Sequence, residues 1–368
     1  MKSASIQSVI YGVKSLSDMR SYPQDSVIAG FYTGAHKGNR VHCMCRNGRS
    51  LRHQGAFMKR FRCKAVLIKV AAVLGLAAAG CAVAADVPCP PSTDPNQIAV
   101  EVKVPSDVPL YQACVSIHFD SVANLTADSL GLTAQVIDPS SFSGLPSGVT
   151  IDPAFPVLIS IEPSVALYRN GYESNQVGDG NLDFLKSYDL EIHTDQLTCS
   201  GTSSTYRVFK APHGSNTFAD VTDGLFSGSV RARGRGGAFS QFVIAKDARS
   251  LLLDIVPTKL TNLTLSLGAS GLTGTLLTAL TDLLTQFPVD LTLGLLSGNL
   301  SAAIGDLTDF IAEVLTGADN GQVPEEWTAG GSLSNVAGEL VSLAQTLIFS
   351  LQTVFPASSP VCGIASPL

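Results

Sequence analysis

The chain carries no lysine or arginine after Lys259, although nine Asp and Glu residues follow it. A C-terminal third without cations cannot neutralise phosphates. That excludes a nucleic-acid surface there, and attraction to an anionic membrane with it. Tryptophan is almost missing too: Trp327 is the single one among 368 residues. The core Trp between two Cys that marks immunoglobulin domains is therefore absent. Residues 86–368 hold no Gly-x-Ser-x-Gly, no His-Glu-x-x-His and no Ser-x-x-Lys, which removes the common hydrolase signatures. Gly268-Ala269-Ser270-Gly271 lacks the second spacing, and no Gly-rich phosphate loop follows a strand. Glycine, threonine and acids break every apolar run beyond residue 85 before 18 residues, too short for a membrane-spanning helix.

What is present begins with residues 58–85. Lys59, Arg60, Arg62 and Lys64 form a positive start, and residues 65–80 are apolar apart from Lys69. Ala82-x-Ala84 and Val83-x-Ala85 then offer small-residue cleavage sites. This is the pattern of a secretory signal peptide, and it predicts an exported chain starting near Asp86, periplasmic or secreted. Cys81 offers a different ending, a lipid-anchored outer-membrane protein, although Ala78 stands where such a signal places Leu. Residues 1–57 precede the signal and read as a mis-assigned start or a polar extension; His42, Cys43 and Cys45 lack the further ligands of a zinc site. Beyond residue 85 there are 11 cationic and 28 acidic side chains, a net charge of −17. Such a chain suits solubility and cation binding.

Cys89, Cys114, Cys199 and Cys362 survive processing. An even number in an exported chain predicts two disulfides with three connectivities. Pairing Cys89 with Cys362 would clip the ends together and leave Cys114 for Cys199.

After a Pro-rich lead-in over 86–96, period-2 alternation dominates. Ile98, Val100, Val102 and Val104 alternate with Gln97, Ala99, Glu101 and Lys103, and Val115, Ile117 and Phe119 repeat the pattern. Tyr188, Leu190 and Ile192 alternate with Asp189, Glu191 and His193. Segments 131–137, 157–162, 205–210, 227–235 and 239–246 complete about eight strands, separated by turn-rich stretches. The pattern predicts an antiparallel β-sandwich over 97–256, immunoglobulin-like in form. Near Pro257 the period becomes helical. Leu276, Leu280, Leu283 and Phe287 form one stripe, and Leu307, Phe310, Ile311, Val314 and Leu315 a second. Val336, Leu340, Leu343, Leu347 and Leu351 form a third. These predict amphipathic helices over 257–355, with Ser301 and Ser334 as N-caps, Gly317 and the stretch to Gly331 as a break, and a tail over 356–368. The class is α+β.

Four groups of residues invite chemistry. Asn175, Asp179 and Asp183, with Gly180 at the turn and Leu182 as anchor, resemble part of a calcium loop. Val177 and Lys186 occupy positions that should be ligands, so a plain polar turn competes with that reading. Asp189, Glu191 and His193 share a strand face, which is either a metal-ligating row or a solvated sheet surface. Arg231, Arg233 and Arg235 alternate and predict either a solvated edge or a dock for the acidic helices. Glu325-Glu326 is a carboxylate pair with no spacing that defines a site. His118 and His213 are linked to none of these. Asn124, Asn262 and Asn299 begin glycosylation triplets, which a bacterial-type signal gives no reason to use.

Val323-Pro324-Glu325-Glu326-Trp327, followed by Ser334-Asn335-Val336-Ala337-Gly338-Glu339-Leu340, resembles the ending of an uncharacterised family of secreted proteobacterial proteins. The resemblance covers residues 97–355. It implies a strand-rich body with a helical ending, and no assigned activity or catalytic residue. Two functions remain in view. One is a non-catalytic module binding an envelope protein or a glycan, with no cofactor beyond calcium. The other is an extracytoplasmic hydrolase whose carboxylates meet only in three dimensions.

Overall fold

The computed structural model describes residues 89–105, 110–163, 181–199, 205–212, 214–331, 334–354 and 364–365. Within them lie two antiparallel sheets and a C-terminal helical region. One sheet has the order β1 (Gln97–Val104), β2 (Tyr111–Ala123), β6 (Asp183–Cys199), β10 (Gly228–Gly236), β9 (Thr222–Phe226) and β13 (Ile364–Ala365), with β12 (Glu326–Thr328) also on β6. The other runs β3 (Leu132–Val136), β5 (Val157–Ile161), β11 (Gln241–Asp247), β7 (Tyr206–Ala211) and β8 (Ala219–Asp220), with β4 (Val149–Ile151) on β11.

Alternation turns one face of each sheet inward. Val115, Ile117 and Phe119 of β2, Leu190 and Ile192 of β6 and Ala232 of β10 join Ile159, Val208, Phe242 and Ile244 of the second sheet in one core. Trp327, which sits in β12, closes an end of that core by stacking on Phe184 at 5.2 Å and meeting Phe239 edge-on at 5.0 Å. The pairing of Trp327 with Phe184 in the ladder explains why a short strand interrupts the expected loop.

The leucine stripes form α2 (Val256–Ala269), α3 (Gly274–Ser297), α4 (Ser301–Asp319) and α5 (Val336–Gln352), entered through a π-helical turn, Leu251–Ile255. A short helix, α1 (Ala127–Leu130), follows β2. Leu280, Phe287, Leu307, Phe310, Leu340 and Leu347 anchor a second core. Helix α5 belongs to both cores, because its Phe349 enters the sheet cluster. No helix of the described residues is long and apolar enough to cross a membrane.

The helix starts differ from expectation. Ser301 is the first residue of α4, where Asn299 accepts hydrogen bonds from its amide at 2.9 Å and its hydroxyl at 2.6 Å. At α5 the cap is Asn335 and not Ser334. Asn335 accepts from Gly338 N at 2.8 Å and donates its amide to Lys186 O and, at 3.0 Å, to Gly237 O. An amide side chain can cap and reach two strands at once, which a serine cannot. Gly317 lies inside α4. There a Cβ would sit 2.8 Å from Val323 Cγ2, so the glycine admits a returning loop.

Candidate functional site

Register across the first sheet assembles its outward residues into three rows. Cys114, His193 and Arg231 are neighbours on β2, β6 and β10. Ser116, Glu191 and Arg233 form the next row, and His118, Asp189 and Arg235 the third. The two alternating triplets read from the sequence are thus adjacent strands of one polar floor. The arginines lie inside the sheet, paired on both sides, and not on an edge.

The lead-in builds a wall along this floor. Cys89 is bonded to Cys114 across a Cα–Cα distance of 5.2 Å. The pairing of Cys89 with Cys362 and Cys114 with Cys199 is therefore corrected: the lead-in folds back over β2 and brings Cys89 against it. Cys199 is also disulfide-bonded, and Cys362 lies outside the described residues. Asp94 adds to the anchorage, with its carboxylate 3.6 Å from His118 Nε2 and accepting from Asn96 N at 2.9 Å.

Two adjoining clefts result. The larger, about 490 Å³, runs from Pro90–Thr93 to Glu191, His193 and Arg231. The smaller, about 340 Å³, reaches Asp94, His118, Asp189 and Arg233. Gln97, Ser116 and Glu191 line both. Among the described residues no Phe, Tyr or Trp lines either one.

Charge within the floor is mostly committed. Asp223 of β9 is fully buried and accepts from Arg233 Nε at 2.8 Å and Arg235 Nε at 3.1 Å. Arg235 also lies 2.7 Å from Asp189. Burial pushes the Asp189 carboxyl up, and Arg235 opposes it. Burial, then Arg231, holds the His193 imidazole below its usual range, and its Nε2 lies 2.8 Å from Ser229 Oγ. Among the described residues no group of three His, Cys, Asp or Glu side chains is placed to hold a metal ion, and Asp189 is paired with Arg235.

Docking of the helices, expected of the three arginines, falls to lysines instead. Lys259 lies 3.1 Å from Asp220, Lys210 3.1 Å from Glu339 and Lys186 3.0 Å from Asp319. Arg233 and Arg235 cannot serve because Asp223 and Asp189 hold them on their own sheet, and Arg231 lines the larger cleft beside His193. Of the calcium-like loop, Asn175 and Asp179 lie outside the described residues, as do Cys81 and His213. Asp183 is a buried strand residue that opens β6. Asp223 was missed by sequence reasoning, and nothing in its spacing marks it.

The fold and floor define a two-sheet α+β protein with a polar, arm-walled sheet face. The chain belongs to a family of unknown function (DUF6689), whose pattern it matches over residues 72–354. No curated protein and no solved structure matches it.

Proposed function

We propose that the protein is an exported, non-catalytic module that binds a glycan on the polar face of its first sheet. The observation that carries the reading is the pair of adjoining clefts whose rows of Gln, Ser, Glu, His and Arg side chains converge under the disulfide-held arm. Such groups hydrogen-bond hydroxyls and acidic or amino substituents of sugars. A protein partner would call for large aromatic or apolar anchors, and the clefts offer none. Export is supported by the signal-like segment at 58–85 and by a disulfide, which persists in oxidising compartments. An immunoglobulin-like sandwich of proteobacterial, periplasmic origin belongs to the same reading.

The hydrolase alternative has one observation in its favour, the raised carboxyl of Asp189 in the cleft lining. Its placement 2.7 Å from Arg235 keeps it from moving protons freely, so binding is the better account. The test is titration of neutral, acidic and amino-sugar oligosaccharides into the wild type and into Glu191→Gln and His118→Ala. The reading requires saturable binding to at least one class, weakened about tenfold in both variants without loss of folding. Binding to none of the classes sinks it, and steady release of reducing ends would replace it by the hydrolase.

A further inference from the structure

A further cavity, of about 360 Å³, opens between α5, α2 and the strands β7, β8 and β10. Its body is apolar, formed by Val221, Phe239 and Leu343, while Lys210, Arg235 and Glu339 stand in its lining. An apolar chamber with a few convergent polar groups is the usual form of a small-molecule site. The cavity shares no residue with the two polar clefts.

Its charges are not equivalent. Arg235 is fixed by Asp189 and Asp223 at 2.7 and 3.1 Å. Lys210 has its ammonium 3.1 Å from Glu339, and the two side chains are 10% and 39% exposed. Glu339 can therefore turn to water at little cost, whereas Lys210 remains in the cavity lining. The ammonium position is held open by Gly236, where a Cβ would lie 2.8 Å from Nζ.

We propose that this cavity binds a small amphipathic carboxylate, with its apolar tail against Phe239 and Leu343 and its carboxylate on Lys210 in place of Glu339. The inference goes beyond the glycan reading and stands on different residues. The ligand exchanges one carboxylate for another beside Lys210, so Glu339 acts as a competing group.

The test is calorimetric titration of the full chain with octanoate, octanol and octylammonium. Octanoate should bind with one-to-one stoichiometry, at least tenfold tighter than the other two. Lys210→Gln should weaken it about tenfold or more, and Glu339→Gln should tighten it severalfold, a gain that mere structural damage would not produce. Leu343→Trp should fill the chamber and abolish binding. Should that variant fail to fold, transferred magnetisation from octanoate protons to Phe239 and Leu343 of the wild type reads the same contact. Absence of saturable binding, equal affinity for the alcohol or the amine, no gain in Glu339→Gln, or contacts elsewhere on the chain would each overturn the proposal. Failure here leaves oligosaccharide binding untouched, and failure there leaves this result untouched.

Discussion

The ammonium of Lys259 on α2 lies 3.1 Å from the carboxylate of Asp220 on β8, with only 4% and 3% of the two side chains exposed. Lys259 also donates to Thr346 O of α5 at 2.9 Å. The last cation of the chain thus joins two helices to the second sheet. Burial pushes the Lys259 ammonium down, and Asp220 opposes that shift. Burial works to raise the Asp220 carboxyl, but Lys259 and Arg207 outweigh it and hold it below the ordinary range. Removing one partner strands the other charge in a dry site, so Lys259→Met should cost about 3–5 kcal/mol in urea unfolding. The double replacement with Asp220→Leu should cost less than the two single losses combined. Strict additivity would show that the pair does not act as a unit.

The Cys89–Cys114 bridge closes a loop with a sequence separation of 25. Loop closure of that size is worth about 3 kcal/mol. Replacing both cysteines with Ser should lower unfolding stability by that order and speed amide exchange in Asn96 and Gln97, whose amides depend on Asp94. Unchanged exchange would show that Asp94 and His118 hold the arm without the bridge.

A carboxyl pair on the α3–α4 hairpin sets a pH dependence. Burial and then the neighbouring Asp290 push Asp306 up to about 6. Its folded pKa exceeds the ordinary value of 3.8, so between these values the folded state holds a proton that the unfolded state has released. Stability should then fall as pH rises from about 4 to about 6. Asp306→Asn should remove the effect, raising stability at pH 7.5 by about 1 kcal/mol after allowance for solvent screening, with little change at pH 4. Melting curves at the two pH values check the sign, and an equal shift at both would discard it.

Period-2 runs identify β1, β2 and β6 because each strand turns its apolar residues to one face and its polar ones to the other, and alternation records that division. The three leucine stripes identify α3, α4 and α5 for the same reason at helical period. Strand order is different. Nothing local states that the Asp189 triplet of β6 lies beside the Arg231 triplet of β10, since order depends on how distant strands pair. Asp223 was unreadable because only that order makes a Thr-Asp-Gly segment the buried partner of two arginines. The disulfide was limited by arithmetic, as four cysteines allow three pairings and only the path of the lead-in chooses one. Lys259 was visible as a compositional boundary, though its role as a pin needs Asp220, which lies on another element.

The contact between Gly237, which follows β10, and α5 leaves no room for a side chain. A Cβ at Gly237 would lie 2.4 Å from Glu339 N and 2.6 Å from Gly338 C. Both atoms are backbone in the first turn of α5, and Asn335 ties that turn to Lys186 O and Gly237 O. The helix cannot retreat without breaking those bonds and shifting side chains such as Phe349 and Leu347 in the two cores. Gly237→Ala should therefore cost about 3 kcal/mol. Gly268 supplies the control, since it lies in α2 with nothing within 4 Å of a built Cβ. There alanine relieves glycine's poor helix propensity, and Gly268→Ala should stabilise by about 0.5–1 kcal/mol. Paired denaturation curves of the two variants separate close packing from conformational freedom, because the same Gly-to-Ala change must move stability in opposite directions.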